Sequence, residues 1–172
     1  MKIIKTKISE VLLIETEVYK DSRGSFMETY NHEKYLSQNF SNKFIQDNLV
    51  YSKKNVLRGL HYQINKPQGK LVQCYEGAIF DVAVDIRNNS VNYLKWVGFE
   101  LNSKNNRQLY IPEGFAHGYC VLSNSALVSY KCTNIYNPKF ERGIKWNDKN
   151  INIKWPIENP ILSEKDEKLK YI

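Results

Sequence analysis

The chain has 172 residues, 42% hydrophobic and 13% aromatic, which is enough for one domain spanning 1–172 with a buried core and too apolar for a disordered chain. Lys and Arg number 25 against 18 Asp and Glu, a formal balance of +7; the charge is spread without a basic block, so it leaves nucleic acid and a small anionic ligand such as a nucleotide diphosphate both open. No apolar run reaches the length of a membrane span, and MKIIKTKISEVLLIETEVY has no long apolar stretch or small-residue cleavage site, so the expectation is a cytoplasmic protein with no membrane association.

In chain order, Asn31 is placed to cap a short helix from His32 to Asn39. A strand-like run at Asn55-Val56-Leu57 breaks at Arg58-Gly59 and resumes with Leu60, His61 and Tyr62. Leu71 to Tyr75 runs into the turn signal Glu76-Gly77, and Ala78 to Arg87 then alternates, with Phe80, Val82, Val84 and Ile86 on one face and Ile79, Asp81, Ala83, Asp85 and Arg87 on the other. The first face is expected on a core, and the second, with its carboxylates, at solvent or a polar cavity. A similar hairpin is expected from Arg107–Ile111 and Phe115–Leu122 around Pro112-Glu113-Gly114. The next strand puts Ala126, Val128, Tyr130 and Cys132 on one face, and Ser163 with Asp166 three residues on suggests a capping-box variant at a last short helix. Many short strands and little helix point to a mainly all-β sandwich or barrel. The polar face of the central strands favours a jelly roll with a ligand cavity over an immunoglobulin-like sandwich. Cys74, Cys120 and Cys132 have no ligand-like spacing and read as buried free thiols.

Chemistry centres on His61, one of three histidines. An imidazole both takes and gives a proton near neutrality, and it needs a carboxylate to fix its tautomer; Asp81, Asp85 and Asp166 are candidates. Inverting a carbon requires a second group on the opposite face, a task a tyrosine can perform. A cation near a developing oxyanion would complete the set, and Lys70 and Arg58 are available.

Six stretches carry a resemblance in register from Asp21 to Asp166: DSRGSF (21–26), LRGLHYQ (57–63), PQGKLVQCYEGAIFDVAVDIR (67–87), YIPEGFAHGY (110–119), YKCTNIYNP (130–138) and LSEKD (162–166). Together they resemble the dTDP-4-dehydrorhamnose 3,5-epimerase family. The resemblance implies a double-stranded β-helix (cupin, jelly-roll) fold with a few short helices, a homodimer, no metal and no organic cofactor. It implies inversion of C3 and C5 of dTDP-4-keto-6-deoxy-D-glucose on the way to dTDP-L-rhamnose. Carried onto this chain, His61 is the base, Asp166 its partner, Tyr130 the acid and Lys70 the cation at the C4 enolate oxygen. Arg58 and His117 complete the sugar pocket. Arg23, Phe26, Glu28, Gln46, Asn48, Glu141 and Lys165 match positions that hold the nucleotide or pyrophosphate, and Tyr136 matches an aromatic packed on the ligand. Where the family usually reads Ser-Pro-Thr-Phe-Gly, this chain has Ser90-Val91-Asn92-Tyr93-Leu94, which implies a differently shaped turn.

Other readings predict other features. A metal cupin would need a His-x-His pair, which the chain lacks, with His32, His61 and His117 far apart. A non-catalytic nucleotide-sugar-binding jelly roll would need the basic pocket and aromatics but not the His61–Asp166 pair opposed by Tyr130. A nucleic-acid-binding barrel would show a continuous basic groove; no such motif is present, and no nucleic-acid partner is expected. An epimerase acting on another nucleotide 4-keto sugar, or inverting only C3 or C5, shares the motifs.

Overall fold

The computed structural model describes residues 1–172. Thirteen strands and two short helices follow in the order β1 (Lys2–Lys5), β2 (Leu12–Glu15), β3 (Val18–Asp21), β4 (Gly24–Met27), α1 (His32–Leu36), β5 (Gln46–Lys53), β6 (Leu57–Gln63), β7 (Lys70–Glu76), β8 (Ala78–Asp85), β9 (Trp96–Asn102), β10 (Arg107–Ile111), β11 (Phe115–Val121), β12 (Ser125–Cys132), β13 (Glu141–Gly143) and α2 (Glu164–Glu167). They build a six-stranded sheet, β1-β2-β10-β7-β12-β5, facing a five-stranded sheet, β13-β6-β11-β8-β9. The β3–β4 hairpin stands apart from both. This is the jelly-roll, cupin-type architecture the sequence suggested.

The expected hairpins are corrected. β7 lies in the first sheet and β8 in the second, and so do β10 and β11 respectively. Each tight turn therefore carries the chain across the sandwich. Gly77 has φ +78°, and a Cβ there would lie 2.0 Å from the Ser125 carbonyl oxygen, so only glycine fits the crossing. The turn signal was right; its destination depends on pairings far away in the chain.

The faces of β8 are also reassigned. Ile79 and Ala83 enter the main core between the sheets, with Val72, Leu109, Val121 and Val128. Phe80, Val82 and Val84 face outward but are covered by the C-terminal segment, including Ile144, Ile151 and Trp155. The carboxylate face does not meet solvent, since Asp81 and Asp85 are both fully buried, and the outward face is partly exposed only at Ala78 and Phe80. Asp85 is held by the Arg87 guanidinium at 2.7 Å and the Ser90 hydroxyl at 2.6 Å, away from the cavity. Leu94, where the resembled pattern has glycine, takes φ +61°. That conformation costs a leucine about 1–2 kcal/mol, and its side chain offsets the cost by packing against the outer cluster.

Both helices start as their caps predict. The Asn31 side chain accepts from the Lys34 N–H at 3.3 Å. α1 ends at Leu36, short of the expected Asn39, which closes the following turn at φ +62°. The Ser163 hydroxyl accepts from the Asp166 N–H at 3.1 Å, but the Asp166 carboxylate does not reach back to complete a capping box. It turns toward β6 instead.

Gly59 and Gly118 bring β6 and β11 into close approach. A Cβ on Gly59, whose φ is +133°, would lie 2.5 Å from the Gly118 Cα and 2.9 Å from the His117 carbonyl oxygen. Both obstacles are backbone, so Gly59→Ala is expected to lower unfolding free energy by about 2–4 kcal/mol. Urea denaturation checks this, and an unchanged midpoint would show that the strands can part freely.

Candidate active site

The sandwich is open along its β5/β13 side. Two adjoining cavities there, about 360 and 250 Å³, share His61, Lys70 and Tyr130. His61 comes from β6 in one sheet, Lys70 and Tyr130 from β7 and β12 in the other. Strand alternation aims Val128, Tyr130 and Cys132 inward, as their pattern predicted.

His61 Nε2 lies 2.7 Å from Asp166 Oδ1. The Gly59 N–H also reaches Asp166, at 3.4 Å. Burial pushes the Asp166 carboxyl up, but the His61 hydrogen bond and charge, with the Gly59 N–H and the Ser163 hydroxyl, outweigh it and hold the group below the usual carboxylate range. A carboxylate only accepts, so Nε2 carries a proton facing Asp166, and in the neutral form of the ring the bare lone pair is the one on Nδ1. Nδ1 is 3.9 Å from Glu141 Oε1, so the ring, once charged, would sit between two carboxylates.

The other groups are arranged around this pair. Burial pushes the Tyr130 phenol up to about 12, so it holds its proton at neutral pH. Burial lowers the Lys70 ammonium, partly countered by Cys132, Asp81 and Glu141. Glu141 takes a hydrogen bond from the Tyr136 hydroxyl at 2.5 Å and an ion pair from Lys165. Burial raises its carboxyl, yet these partners and His61 hold it below its ordinary value. The Tyr136 N–H donates to Gln46 Oε1 at 2.7 Å, and Gln46 Nε2 donates to Asn48 Oδ1 at 3.0 Å. Arg58 Nε donates to the Ser52 hydroxyl at 3.1 Å. His117 is paired with Asp81 at 2.7 Å.

Thus eleven expected residues line the two cavities: His61, Lys70, Tyr130, Asp166, Arg58, His117, Gln46, Asn48, Tyr136, Glu141 and Lys165. Arg23, Phe26 and Glu28 do not join them within one chain. Arg23 pairs with Asp21 at 2.6 Å and Glu28 with Lys34 at 2.9 Å, while Phe26 is 66% exposed. Sequence reasoning missed Ser52, Tyr119, Gln63 and Gln68 at the cavity or its supports. Tyr119 was findable, two residues after His117 on one strand. Ser52 was not, since its place depends on β5 facing β11. No group of three His, Cys, Asp or Glu is placed to hold a metal ion.

A jelly roll whose cavity sets a carboxylate-held imidazole against a phenol on the facing sheet defines a proton-transferring isomerase. The model of the dTDP-4-dehydrorhamnose 3,5-epimerase family matches residues 5–172. The dTDP-4-dehydrorhamnose 3,5-epimerase of Shigella flexneri is 54% identical over 169 residues, covering 96% of this chain and 93% of that one. Its counterpart in Methanothermobacter thermautotrophicus is 49% identical, covering 98% and 93%. The crystal structure of a dTDP-6-deoxy-D-glucose-3,5-epimerase of Legionella pneumophila Philadelphia 1, in complex with dTDP-4-keto-L-rhamnose, superposes with a TM-score of 0.96 at 45% identity, covering 99% and 92%. The chain belongs to the dTDP-4-dehydrorhamnose 3,5-epimerase family.

Proposed function

We propose that the protein inverts C3 and C5 of dTDP-4-keto-6-deoxy-D-glucose through enolate intermediates, giving dTDP-4-keto-L-rhamnose. The observation that carries this reading is the placement of His61 and Tyr130 on facing sheets around one cavity, with Lys70 beside them. The C4 ketone acidifies the hydrogens on C3 and C5. His61 Nδ1 removes one, and the resulting imidazolium is stabilised by Asp166 and Glu141. The enolate oxygen at C4 gains the Lys70 ammonium. The Tyr130 phenol then returns a proton to the opposite face, and solvent resets both groups. Repetition at the second carbon completes the conversion. Gln46, Asn48, Tyr136, Glu141 and Lys165 hold the nucleotide end, and Arg58 and His117 hold the sugar.

The test is incubation with the 4-keto sugar in deuterium oxide. Deuterium at both C3 and C5, with the rhamno configuration by NMR, is the expected result. Exchange at one carbon only would make the protein a single-centre epimerase. No exchange on any nucleotide 4-keto-6-deoxy sugar would leave a binding jelly roll.

Arg23, Phe26 and Glu28 belong to this reading only if they serve a second copy. The exposed apolar side chains Leu49 and Tyr51 on edge strand β5, with Tyr19 and Phe26 on the hairpin, favour a homodimer. Light scattering at micromolar concentration is expected to give twice the chain mass; a monomer would exclude these three residues from the site. A reducing, cytoplasmic setting agrees with three buried free cysteines, and no helix is long and apolar enough to cross a membrane.

A further inference from the structure

A second His–Asp pair stands beside the one assigned to proton abstraction. His117 on β11 is the direct register partner of His61 on β6. Its Nε2 lies 2.7 Å from Asp81 Oδ1 on β8, and Asp81 is fully buried. The other carboxylate oxygen, Asp81 Oδ2, is the one side-chain polar atom that is both sealed and without a partner. Leaving such a group unsatisfied costs about 1–3 kcal/mol. A well-packed apolar pair of similar volume would serve the fold as well or better. The pair therefore calls for a role in the cavity.

That role follows from hydrogen-bond direction. The Asp81 carboxylate can only accept, so the proton on Nε2 is fixed. Burial is the main influence that lowers the proton affinity of His117; Lys70 and His61 add to it, and Asp81 opposes but does not cancel it. The ring is therefore neutral at neutral pH, with a bare Nδ1. This nitrogen bonds nothing in the chain and is not among the sealed atoms, so it opens on the cavity that His117 lines. An acceptor there does nothing for an enolate oxygen, which needs donors. It suits a hydroxyl.

We infer that Asp81 is a positioning residue that presents His117 Nδ1 as a hydrogen-bond acceptor, so that the site reads a hydroxyl on the hexose ring at C2 or C3. This rests on the cavity holding a sugar, as proposed above. It makes His117 a specificity determinant distinct from His61: two imidazoles side by side, one taking a proton from carbon, the other accepting a hydrogen bond from oxygen. A site built around such an acceptor discriminates against the deoxy analogue because the buried nitrogen is then left unpaired.

The test separates this inference from the proposed activity by using binding alone. Nitrogen-15 NMR of the ligand-free protein is expected to show His117 with its proton on Nε2 and a bare Nδ1. Asp81→Asn offers an amide N–H as well as a carbonyl, so the single tautomer should be lost. Calorimetry with dTDP-6-deoxyglucose, which lacks the ketone and cannot react, is expected to show binding about 10–100-fold tighter than the 2-deoxy or the 3-deoxy analogue. In Asp81→Asn that preference should fall to within a few-fold, while dTDP alone binds as in the wild type. His117→Gln removes the ring and should lose the same preference, which covers the case of an unstable Asp81 variant. A proton on Nδ1 in the wild type, or equal binding of all three sugars, would overturn the inference even if epimerisation is observed. The tautomer and the preference can equally stand if no hydrogen exchanges on a 4-keto sugar.

Discussion

His61→Ala is expected to cut deuterium wash-in at both C3 and C5 by about 10²–10⁴-fold, with folding and dTDP binding retained. The side chain is 25% exposed at the cavity wall, so its removal opens space to water and leaves no sealed apolar void. Asp166 keeps the Gly59 N–H after the change, and the Ser163 cap of α2 does not involve the imidazole. A near-unchanged melting temperature with lost exchange at both carbons would mark a chemical defect. If exchange continues at the wild-type rate, another group is the base and the role assigned to the His61–Asp166 pair falls.

Tyr130→Phe should separate proton removal from inversion. The change keeps the ring, which packs against the main core, and deletes only the hydroxyl. Fold and nucleotide affinity should change little. His61 can still remove a proton and return one to the same face, so deuterium can enter with retention of configuration. Formation of the inverted product should drop by about 10²–10⁴-fold. Chiral analysis of product alongside mass spectrometry of recovered substrate gives both numbers. Inversion at the wild-type rate would mean that a water or another side chain supplies the second proton. Burial already pushes the Tyr130 phenol up to about 12, so loss of rate in the variant cannot be ascribed to loss of a phenolate base at neutral pH.

Local chemistry was readable from the chain, and assembly was not. Asn31 and Ser163 mark their helix starts because capping is decided within four residues. Gly77 and Gly114 mark tight turns for the same reason. Neither glycine says that the next strand joins the opposite sheet, because that depends on β8 pairing with β11 and β9 rather than with β7. The alternation in β8 correctly separated Phe80 and Val82 from Asp81. It gave no hint that residues beyond 143 would cover the outer side. His61, Lys70, Tyr130 and Asp166 meet as the family register implied, although 105 positions separate His61 from its carboxylate. Arg23, Phe26 and Glu28 were legible as residue types, but a single chain does not supply the surface that would bring them to the cavity. Asp81 reads from the sequence only as one of three candidate partners for His61, on a face at solvent or a polar cavity, because periodicity assigns a face without saying what stands opposite it.

The tether that holds Asp166 has a bearing on how the molecule is made. Both sheets are complete in chain order once β13 has been synthesised, and the cavity walls can then close. Asp166 and Lys165 arrive only later, on a segment stitched back to the start of β6 by the Leu57 N–H to Ile161 carbonyl bond at 3.0 Å and the Ile161 N–H to Asn55 carbonyl bond at 2.8 Å. A chain that stops short of this segment has every strand of both sheets but lacks the carboxylate that orients the His61 imidazole. The residues that complete the site thus come last in chain order, on the same C-terminal stretch that covers the outer face of β8.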